Sequence, residues 1–403
     1  PEYDPAGGTA RLITVRAARA NVDQRRGRAG RMGPRVCYRL WDEAETLGLR
    51  ASPTPEILNS DLSGLLLALA EWGEQDPDRL TWLDNPPAGR IAAARMALLE
   101  FGALQADGRL TERGKAMAKL PMAPRLASLI VSARNPGERA LAANIAALVS
   151  EAGMGGASSD LSDRLAKFQA DRGPRAKALQ RQARQWGGDA TPKGHPGALL
   201  ARAWPDRLAR RRPATPGTYL LASGRAGQVD ESGSLAKSDW LVVVDMIGKA
   251  SGGRITLAAA LDEAKVMEVA PPVTREIASF DPTRGVFLSR RVKSIGAIIL
   301  SESPMPAPSG EAVREAFFDL VATDGFEPFG LNRAVETFLA RLHRIRATSG
   351  DDWPDWTSEH LNTTARAWLG DSLPVSGKFR IPTAGQVGDA LKNALGWPKS
   401  REI

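Results

Sequence analysis

Residues 24–31 have the sequence Gln-Arg-Arg-Gly-Arg-Ala-Gly-Arg, which places four arginines and two glycines in one short stretch. Positive charges at this density repel one another, and an anion that lies against them would offset this repulsion. Arg28 and Arg31 are three residues apart, so on a helix they share one face and can reach the same phosphate chain. Gln24, one turn before Arg28, can bind a phosphate oxygen or orient a water molecule. The stretch therefore predicts a phosphate site.

Composition alone leaves a second interpretation of this stretch open, because arginine runs are usually solvent-exposed surface charge or RNA-binding clusters. The chain has 403 residues and a net charge of +8, which indicates polyanionic partners, nucleic acid first. Its length predicts about three domains. Gly27 and Gly30, which lack side chains, would let a neighbouring domain pack closely against the stretch.

The cysteine content and the hydropathy pattern restrict the compartment. A single cysteine, Cys37, excludes a disulfide framework and favours a reducing cytoplasm. No apolar run reaches the roughly 18 residues that cross a bilayer, and the start carries no signal peptide. We expect a cytoplasmic monomer without a membrane partner. Because the chain begins at Pro1 without Met, we also expect it to be a piece of a longer protein.

The first 122 residues predict two domains. Residues 1–50 alternate as β, α and β: a hairpin over residues 3–16, a helix over 17–29 and a strand over 35–41. They form the end of an α/β domain. Residues 51–122 predict a helix that opens at residues 54–56, a helix over 88–101, an Asp107-Gly108 hairpin and a helix capped by Thr111. This order is typical of a winged helix.

The remaining residues predict three further domains, which makes the fold class multidomain α+β. Residues 123–212 are helical in pattern and carry a strongly basic stretch. Residues 213–305 contain short apolar runs between Gly-rich turns, which favour a small β barrel of the oligonucleotide-binding (OB) kind. In this domain, residues 248–253 (Gly-Lys-Ala-Ser-Gly-Gly) have the wrong spacing for a phosphate-binding loop and predict a β turn. Residues 306–403 form a helical extension whose tryptophans we expect to pack in a core rather than to stack on bases.

The string at residues 24–31 resembles motif VI of the DEAH-box helicases of superfamily 2. Three other parts agree with this family: residues 33–40 resemble the strand after the motif, residues 107–114 its helicase-associated domains, and residues 120–126 the junction that follows. Residues 204–212 and 219–225 resemble the bacterial HrpB-type subgroup. The resemblance implies that the domain before residue 50 is the end of the second RecA-like domain, and that residues 123–212 are a ratchet-like domain.

The resemblance also implies roles for single residues in an ATP site between two RecA-like domains. Arg28 and Arg31 would contact the γ-phosphate, one of them as an arginine finger, with Gln24 and Gly27 at the same nucleotide. It assigns no role to Arg26, and Arg25 is expected to pair locally. The cofactor would be ATP with Mg²⁺, whose ligands are not in this chain, since it contains neither G-x-x-x-x-G-K-[ST] nor Asp-Glu-Ala-His. We therefore expect these 403 residues alone to lack ATPase activity.

The basic stretch at residues 164–212 predicts contact with single-stranded nucleic acid, with RNA expected by resemblance. It contains thirteen Lys and Arg and three acids, an excess larger than that of the whole chain. Such a stretch can neutralise phosphates, although it can equally be a solvated helix face. The candidate contacts are Arg207, Arg210, Arg211 and Arg225.

Other candidate sites are weaker. His195, His343 and His360 are scattered and lack ligand spacing, so we predict no metal site. Cys37 lies in an apolar stretch and is expected to be a core residue. Two alternatives to a helicase remain open: a non-catalytic nucleic-acid-binding module built from the winged helix and the β barrel, and a protein-interaction scaffold.

Overall fold

The computed structural model describes residues 2–4, 9–11, 14–151, 153–213, 215–249, 252–284, 286–305, 309–349, 352–373, 379–396 and 399–401. They form two compact units: Pro1–Pro271 with Gly296–Ile298, and Pro272–Ile295 with Ile299–Ile403. The first unit contains the arginine-rich stretch, the winged-helix region, a helical region and a β barrel. The second unit contains a β sheet and a helical region.

The N-terminal segment contains a short hairpin and two helices. Strands β1 (Glu2–Asp4) and β2 (Thr9–Arg11) pair antiparallel, as the predicted hairpin requires, while its turn at residues 5–8 and residues 12–13 lie outside the described residues. Helices α1 (Arg19–Ala29) and α2 (Glu43–Leu47) follow.

The winged-helix region consists of α3 (Ser63–Trp72), α4 (Ala88–Glu100) and α5 (Glu112–Ala118). The expected hairpin is present as a bridge between Leu104 and Leu110, with Gly108 at a φ of +86° in its turn. The Thr111 hydroxyl accepts a hydrogen bond from the Gly114 N–H (2.9 Å), which confirms the predicted cap of α5.

The first helix of this region begins later than the sequence predicts. Residues Glu56–Leu58 form only one 3₁₀ turn, and α3 begins at Ser63. The Asp61 carboxylate accepts hydrogen bonds from the backbone N–H of Ser63 (2.9 Å) and from its hydroxyl (2.8 Å). An aspartate that accepts from the first free N–H of a helix favours a start at that residue, and this signal outweighs the Thr-Pro-Glu pattern.

Five helices follow in the helical region. They are α6 (Pro124–Val131), α7 (Pro136–Ser150), α8 (Leu161–Ala170), α9 (Pro174–Gly187) and α10 (Pro196–Ala203). Helix α7 lies at the centre, since most of its alanines are buried and Gly187 of α9 packs against it: a Cβ at Gly187 would lie 2.7 Å from the Ala143 Cβ. The predicted helical stretch ends earlier than residue 212, because Leu208–Arg211 is a strand.

That strand is the first of a closed five-stranded barrel. Its strands are β3 (Leu208–Arg211), β4 (Thr218–Leu221), β5 (Ala226–Gln228), β6 (Trp240–Lys249) and β7 (Gly252–Leu261), arranged in the order β3-β4-β5-β7-β6. Strand β6 closes the barrel by pairing antiparallel with β3, and β5 pairs parallel with β7. The predicted turn at residues 248–253 joins β6 to β7, and residues 250–251 lie outside the described residues. Helix α11 (Glu263–Val269) follows.

The last part of the chain forms its own sheet and core. Strands β8 (Val273–Asp281), β9 (Val286–Ile295) and β10 (Ile298–Met305) make a three-stranded sheet of their own, so the last third of the predicted β domain at residues 213–305 does not join the barrel. The helices are α12 (Gly310–Asp324), α13 (Asn332–Ser349), α14 (Ser358–Thr363), α15 (Ala365–Leu369) and α16 (Ala384–Leu395).

The tryptophans of this region take part in its core, as the sequence predicts. Trp353 is buried, and Trp356 and Trp368 pack against the same cluster around Phe317. Trp397 lies outside the described residues.

Candidate functional site

Helix α1 holds the arginine-rich stretch and is anchored at its N-terminal end. Ala18 and Val22 are buried. The backbone N–H of Arg19 donates to the Arg50 carbonyl (2.8 Å), and that of Ala20 donates to the Ala51 carbonyl (3.0 Å). These bonds fix the rotation of α1 about its axis. The face that carries Val22 therefore points into the protein.

Two of the three predicted phosphate ligands lie on the opposite face. At 100° per residue, Gln24 and Arg28 lie about 200–240° around the helix from Val22. All three are exposed, and Arg31 lies just beyond the last helical residue. Among the described residues, none of their side chains makes a hydrogen bond or an ion pair. Gln24 and Arg28 thus share a solvent-facing side of α1, and Arg31 follows directly after the helix end.

The rest of the motif is equally open. Arg25 and Arg26 are exposed, and within the described part of the chain neither makes an ion pair. The acid that is paired here is Asp23, whose carboxylate lies 2.9 Å from an Arg39 guanidinium nitrogen. A Cβ built on Gly27 would have no atom within 4 Å among the described residues, so no packing partner of Gly27 is present. The motif therefore exposes four guanidinium groups, of which that of Arg28 lies one helical turn after Gln24.

The segment that follows the motif differs from the prediction. Residues 35–41 form no strand, and Cys37 is exposed, so the expectation that it is a core residue is wrong. A strand needs a neighbour to accept its backbone hydrogen bonds, and no described strand pairs with this segment. Its apolar side chains are accordingly exposed, with 84% of Tyr38 and 94% of Leu40 accessible.

The four arginines predicted to contact nucleic acid lie at the start of the barrel, and two of them are buried. Arg207 is 2% exposed and lies 3.3 Å from the Asp206 carboxylate, and Arg225 is 6% exposed. Arg210 covers the ring of Trp240, and Arg211 pairs with Asp239 at 2.6 Å. Two side chains are thus enclosed by protein, and the other two already have partners.

A more open basic surface lies on α9. Lys177, Arg181 and Arg184 are exposed and spaced i, i+4 and i+7, which places them on one face of the helix. Helix α9 contains no acidic residue, and Lys177 and Arg181 make no ion pair with any described residue. We call these three residues the α9 stripe. Their helical spacing is the sequence signal that could have singled them out within residues 164–212.

The side chains of His195 and His343 make hydrogen bonds within the fold. The His195 imidazole caps α10 by accepting from the Ala198 N–H (3.3 Å), and burial lowers its pKa below 6.5. A ring nitrogen of His343 lies 2.9 Å from the Trp356 carbonyl oxygen. Among the described residues, no group of three or more His, Cys, Asp and Glu side chains could hold a metal ion. Of the helices that the structure describes, none is both long enough and apolar enough to cross a membrane.

Comparison with known proteins agrees with these features. Residues 98–122, at the end of α4 and through α5, match the helicase associated domain (HA2), winged-helix. The full chain is 33% identical to the ATP-dependent RNA helicase HrpB of Escherichia coli K12 and covers 50% of it. Two crystal structures of E. coli HrpB superimpose with TM-scores of 0.77 and 0.78, at 30% and 28% identity over 99% of this chain. Over its full length the chain is similar to the HrpB-type DEAH/RHA helicases.

Within this family, the chain corresponds to the C-terminal region. It spans about half the length of E. coli HrpB, at 50% and 51% of the chains in the two crystal structures. A shorter match joins it to eukaryotic relatives: the probable ATP-dependent RNA helicase DHR2 of Saccharomyces cerevisiae is 38% identical over 130 residues, which is 32% of this chain and 18% of DHR2.

Proposed function

We propose that the chain supplies the arginine side of the ATP site in an ATP-dependent RNA helicase, which couples ATP hydrolysis to movement along single-stranded RNA. The observation that carries the proposal is the exposed face of α1. Gln24 and Arg28 lie on it, away from buried Val22, and exposed Arg31 follows directly after the helix; none of the three makes an ion pair among the described residues. A charged surface without partners is what a site completed by another domain requires.

The chemistry follows from charge. During hydrolysis, negative charge spreads over the transferring phosphoryl group, and a guanidinium fixed beside it stabilises the transition state. Arg28 and Arg31 contact the γ-phosphate, one of them as the arginine finger, and Gln24 binds a phosphate oxygen or orients the attacking water. Gly27 lies beside the nucleotide with its backbone uncovered.

Mg²⁺ would neutralise the phosphate charge, but the residues of this chain do not form its site. A P-loop supplies a lysine and a Mg²⁺-binding Ser or Thr, and these 403 residues contain no such sequence. The chain alone is therefore expected to bind ATP weakly and to show no ATPase activity.

The nucleic-acid side of the proposal rests on the α9 stripe and the barrel. Three cations on an acid-free helix can neutralise successive phosphates. The closed five-stranded barrel has the strand number of the OB fold, which binds oligonucleotides. RNA is preferred as the strand because the relatives are RNA helicases by name. A cytoplasmic monomer remains the expectation from sequence.

The decisive experiment is Arg31→Ala in the full-length protein, measured as RNA-stimulated ATP hydrolysis. Loss of an arginine finger lowers the rate by about 10³-fold or more. Arg26→Ala is the matched control, because Arg26 is an equally exposed arginine on the same helix but about 200° around it from Gln24. Equal rates for the two variants would remove Arg31 as the arginine finger and leave only Arg28. Absence of ATP hydrolysis in the unaltered full-length protein would favour the non-catalytic binding module.

The nucleic-acid side is tested separately. The triple variant Lys177→Ala/Arg181→Ala/Arg184→Ala of the 403-residue chain should bind a fluorescent single-stranded RNA more weakly and with a shallower salt dependence, by about 0.7 in slope for each lost phosphate contact. Unchanged, salt-independent binding would favour a protein-interaction scaffold.

A further inference from the structure

The loop between α7 and α8 is rich in glycine and holds an unusual backbone conformation. Gly153, Gly155 and Gly156 have φ values of +78°, +74° and +87°. At Gly155 a side chain is sterically impossible, since a Cβ would lie 2.5 Å from the Arg164 carbonyl oxygen. The loop therefore packs its backbone directly onto α8 and keeps the surface in front of it free of side chains.

The loop is also tied to the barrel. The Ala258 N–H of β7 donates to the Ser159 carbonyl (2.9 Å), and Asp160 forms a parallel bridge with Ala258. The Arg164 guanidinium donates to the Ser158 carbonyl and to the Thr256 carbonyl (3.3 Å). These bonds fix the loop and strand β7 relative to each other.

A cleft of about 590 Å³ lies along this seam, with Gly153, Gly156, Ser159, Arg164, Arg254 and Thr256 among its lining residues. Its lining contains two arginines and no carboxylate. Lys167 does not line the cleft itself, but its ammonium lies near the lining residue Gly156, 3.8 Å from the position that a Cβ there would take. Arg254 and Lys167 are exposed and make no ion pair with any described residue.

The neighbouring acids already accept hydrogen bonds. Asp230 accepts from the Ser232 hydroxyl (2.7 Å), and this bond together with the charge of Arg254 lowers the pKa of Asp230. Asp160 accepts from the Ser162 N–H (2.8 Å), Asp163 accepts from the Ser158 hydroxyl (3.0 Å), and Asp245 accepts from the Thr256 hydroxyl (2.6 Å). The cleft thus presents guanidinium and ammonium donors beside an uncovered glycine backbone. This combination suits a tetrahedral oxyanion, because arginine and backbone N–H groups are the usual donors to phosphate.

We propose that this cleft is a phosphate-binding subsite, occupied by a backbone phosphate of the single-stranded nucleic acid. Arg254 and Lys167 contact the phosphate, and Arg164 holds the loop against β7 as a positioning residue. The subsite rests on the proposed function and deepens it, because it adds to the α9 stripe a second contact at the seam between the helical region and the barrel.

The test is fluorescence anisotropy of a labelled single-stranded RNA with the 403-residue chain at several salt concentrations. Arg254→Ala/Lys167→Ala should weaken binding roughly tenfold at low salt and reduce the slope of log affinity against log salt by about 0.7 for the lost phosphate. Both residues are exposed, so the fold should persist, and an unchanged circular dichroism spectrum checks this. The control is Arg333→Ala, which removes an exposed arginine of α13 that has no ion pair among the described residues.

The outcomes separate the two proposals. If the α9 triple variant weakens RNA binding and the cleft variant matches the Arg333→Ala control, the cleft is not a subsite and the proposed function stands. If the wild-type chain binds no RNA, the proposed function fails as well. Competition by millimolar inorganic phosphate or adenosine monophosphate that the cleft variant abolishes would identify a free phosphate compound as the occupant, which would overturn the strand assignment.

Discussion

Breaking the ion pair between Glu138 and Arg202 is expected to destabilise the helical region, because it would leave a buried charge without its partner. Glu138 lies in the first turn of α7 and Arg202 in the last turn of α10. Each charge is therefore opposite in sign to the nearby end of the helix dipole, which is favourable. Two parallel hydrogen bonds of 2.9 and 3.2 Å join them, and each side chain is only 17% exposed. The Glu138 carboxylate also accepts from the Arg134 N–H at 2.8 Å.

Glu138→Gln keeps the shape of the side chain and removes its charge. The amide retains one oxygen for Arg202 or Arg134, but its NH₂ group then faces a guanidinium N–H. Arg202 keeps its bond to the Ser132 carbonyl (3.1 Å), while its Nε is already buried without a partner. Removing one partner of a fully buried pair costs about 3–5 kcal/mol, so with this residual bonding we expect a loss of about 2–3 kcal/mol.

The loss of stability in Glu138→Gln depends on pH, and the pKa of Glu138 gives the direction of this dependence. The hydrogen bond from Arg202 is the main cause that lowers the pKa of Glu138 below its usual 4.5. A carboxyl whose pKa is depressed by folding stabilises the protein above its unfolded pKa, and this stabilisation is lost as pH falls through the folded pKa. The difference between wild type and Glu138→Gln should therefore be full at about pH 7 and shrink as the pH falls below about 4.5.

Urea unfolding followed by tryptophan fluorescence measures the loss, since buried Trp204 lies two residues from Arg202. The midpoint should fall by roughly 1 M at neutral pH. Glu268→Gln is the matched control: its pair with Arg134 spans 3.5 Å, both side chains are about 60% exposed, and the expected effect is below about 0.5 kcal/mol. Equal midpoints for the two variants, or a pH-independent difference, would refute the reasoning.

Two further predictions concern the winged-helix region and the segment after the motif. Gly114→Ala should destabilise the chain by about 2 kcal/mol or more, because a Cβ there would lie 2.1 Å from the Ala103 carbonyl oxygen, and thermal unfolding measures the loss. Gly89→Ala, with no atom within 4 Å of the new Cβ, should be neutral or stabilising, and an equal loss in both would contradict the steric argument. Exposed Cys37 should react with a chromogenic disulfide reagent in the native 403-residue chain as fast as in urea, and reaction only after unfolding would restore the core assignment.

Much of the fold could be predicted because its signals are local. The cap at Thr111, the Asp107-Gly108 turn and the helices α4, α12 and α13 depend on neighbours a few residues away, and the structure contains all of them. The start of α3 was missed for a local reason as well, since Asp61 competes with the earlier Thr-Pro-Glu signal. The strand expected at residues 35–41 is absent for a non-local reason, because a strand also needs a neighbouring strand to complete its backbone hydrogen bonds.

The candidate sites also combine features that local sequence predicts with features that depend on distant parts of the chain. The spacing of Gln24 and Arg28 determines a common helix face, and the structure keeps it exposed. Charge counting located the basic stretch but could not separate buried Arg207 from exposed Arg181, because burial depends on elements distant in sequence. Nor could it identify the cleft, which joins a loop at residues 153–159 to a strand almost a hundred residues later.

The sequence by itself determined the arginine motif, its family and the excess of positive charge, since these depend on residue identity and short-range spacing. Tertiary structure alone decided which cations face solvent and which are enclosed. It also placed Arg164 and Arg254 in one acid-free cleft, because the hydrogen bonds between the glycine loop and β7 bring distant parts of the chain into contact. Periodicity describes one element at a time, whereas a binding cleft is a property of the space between elements.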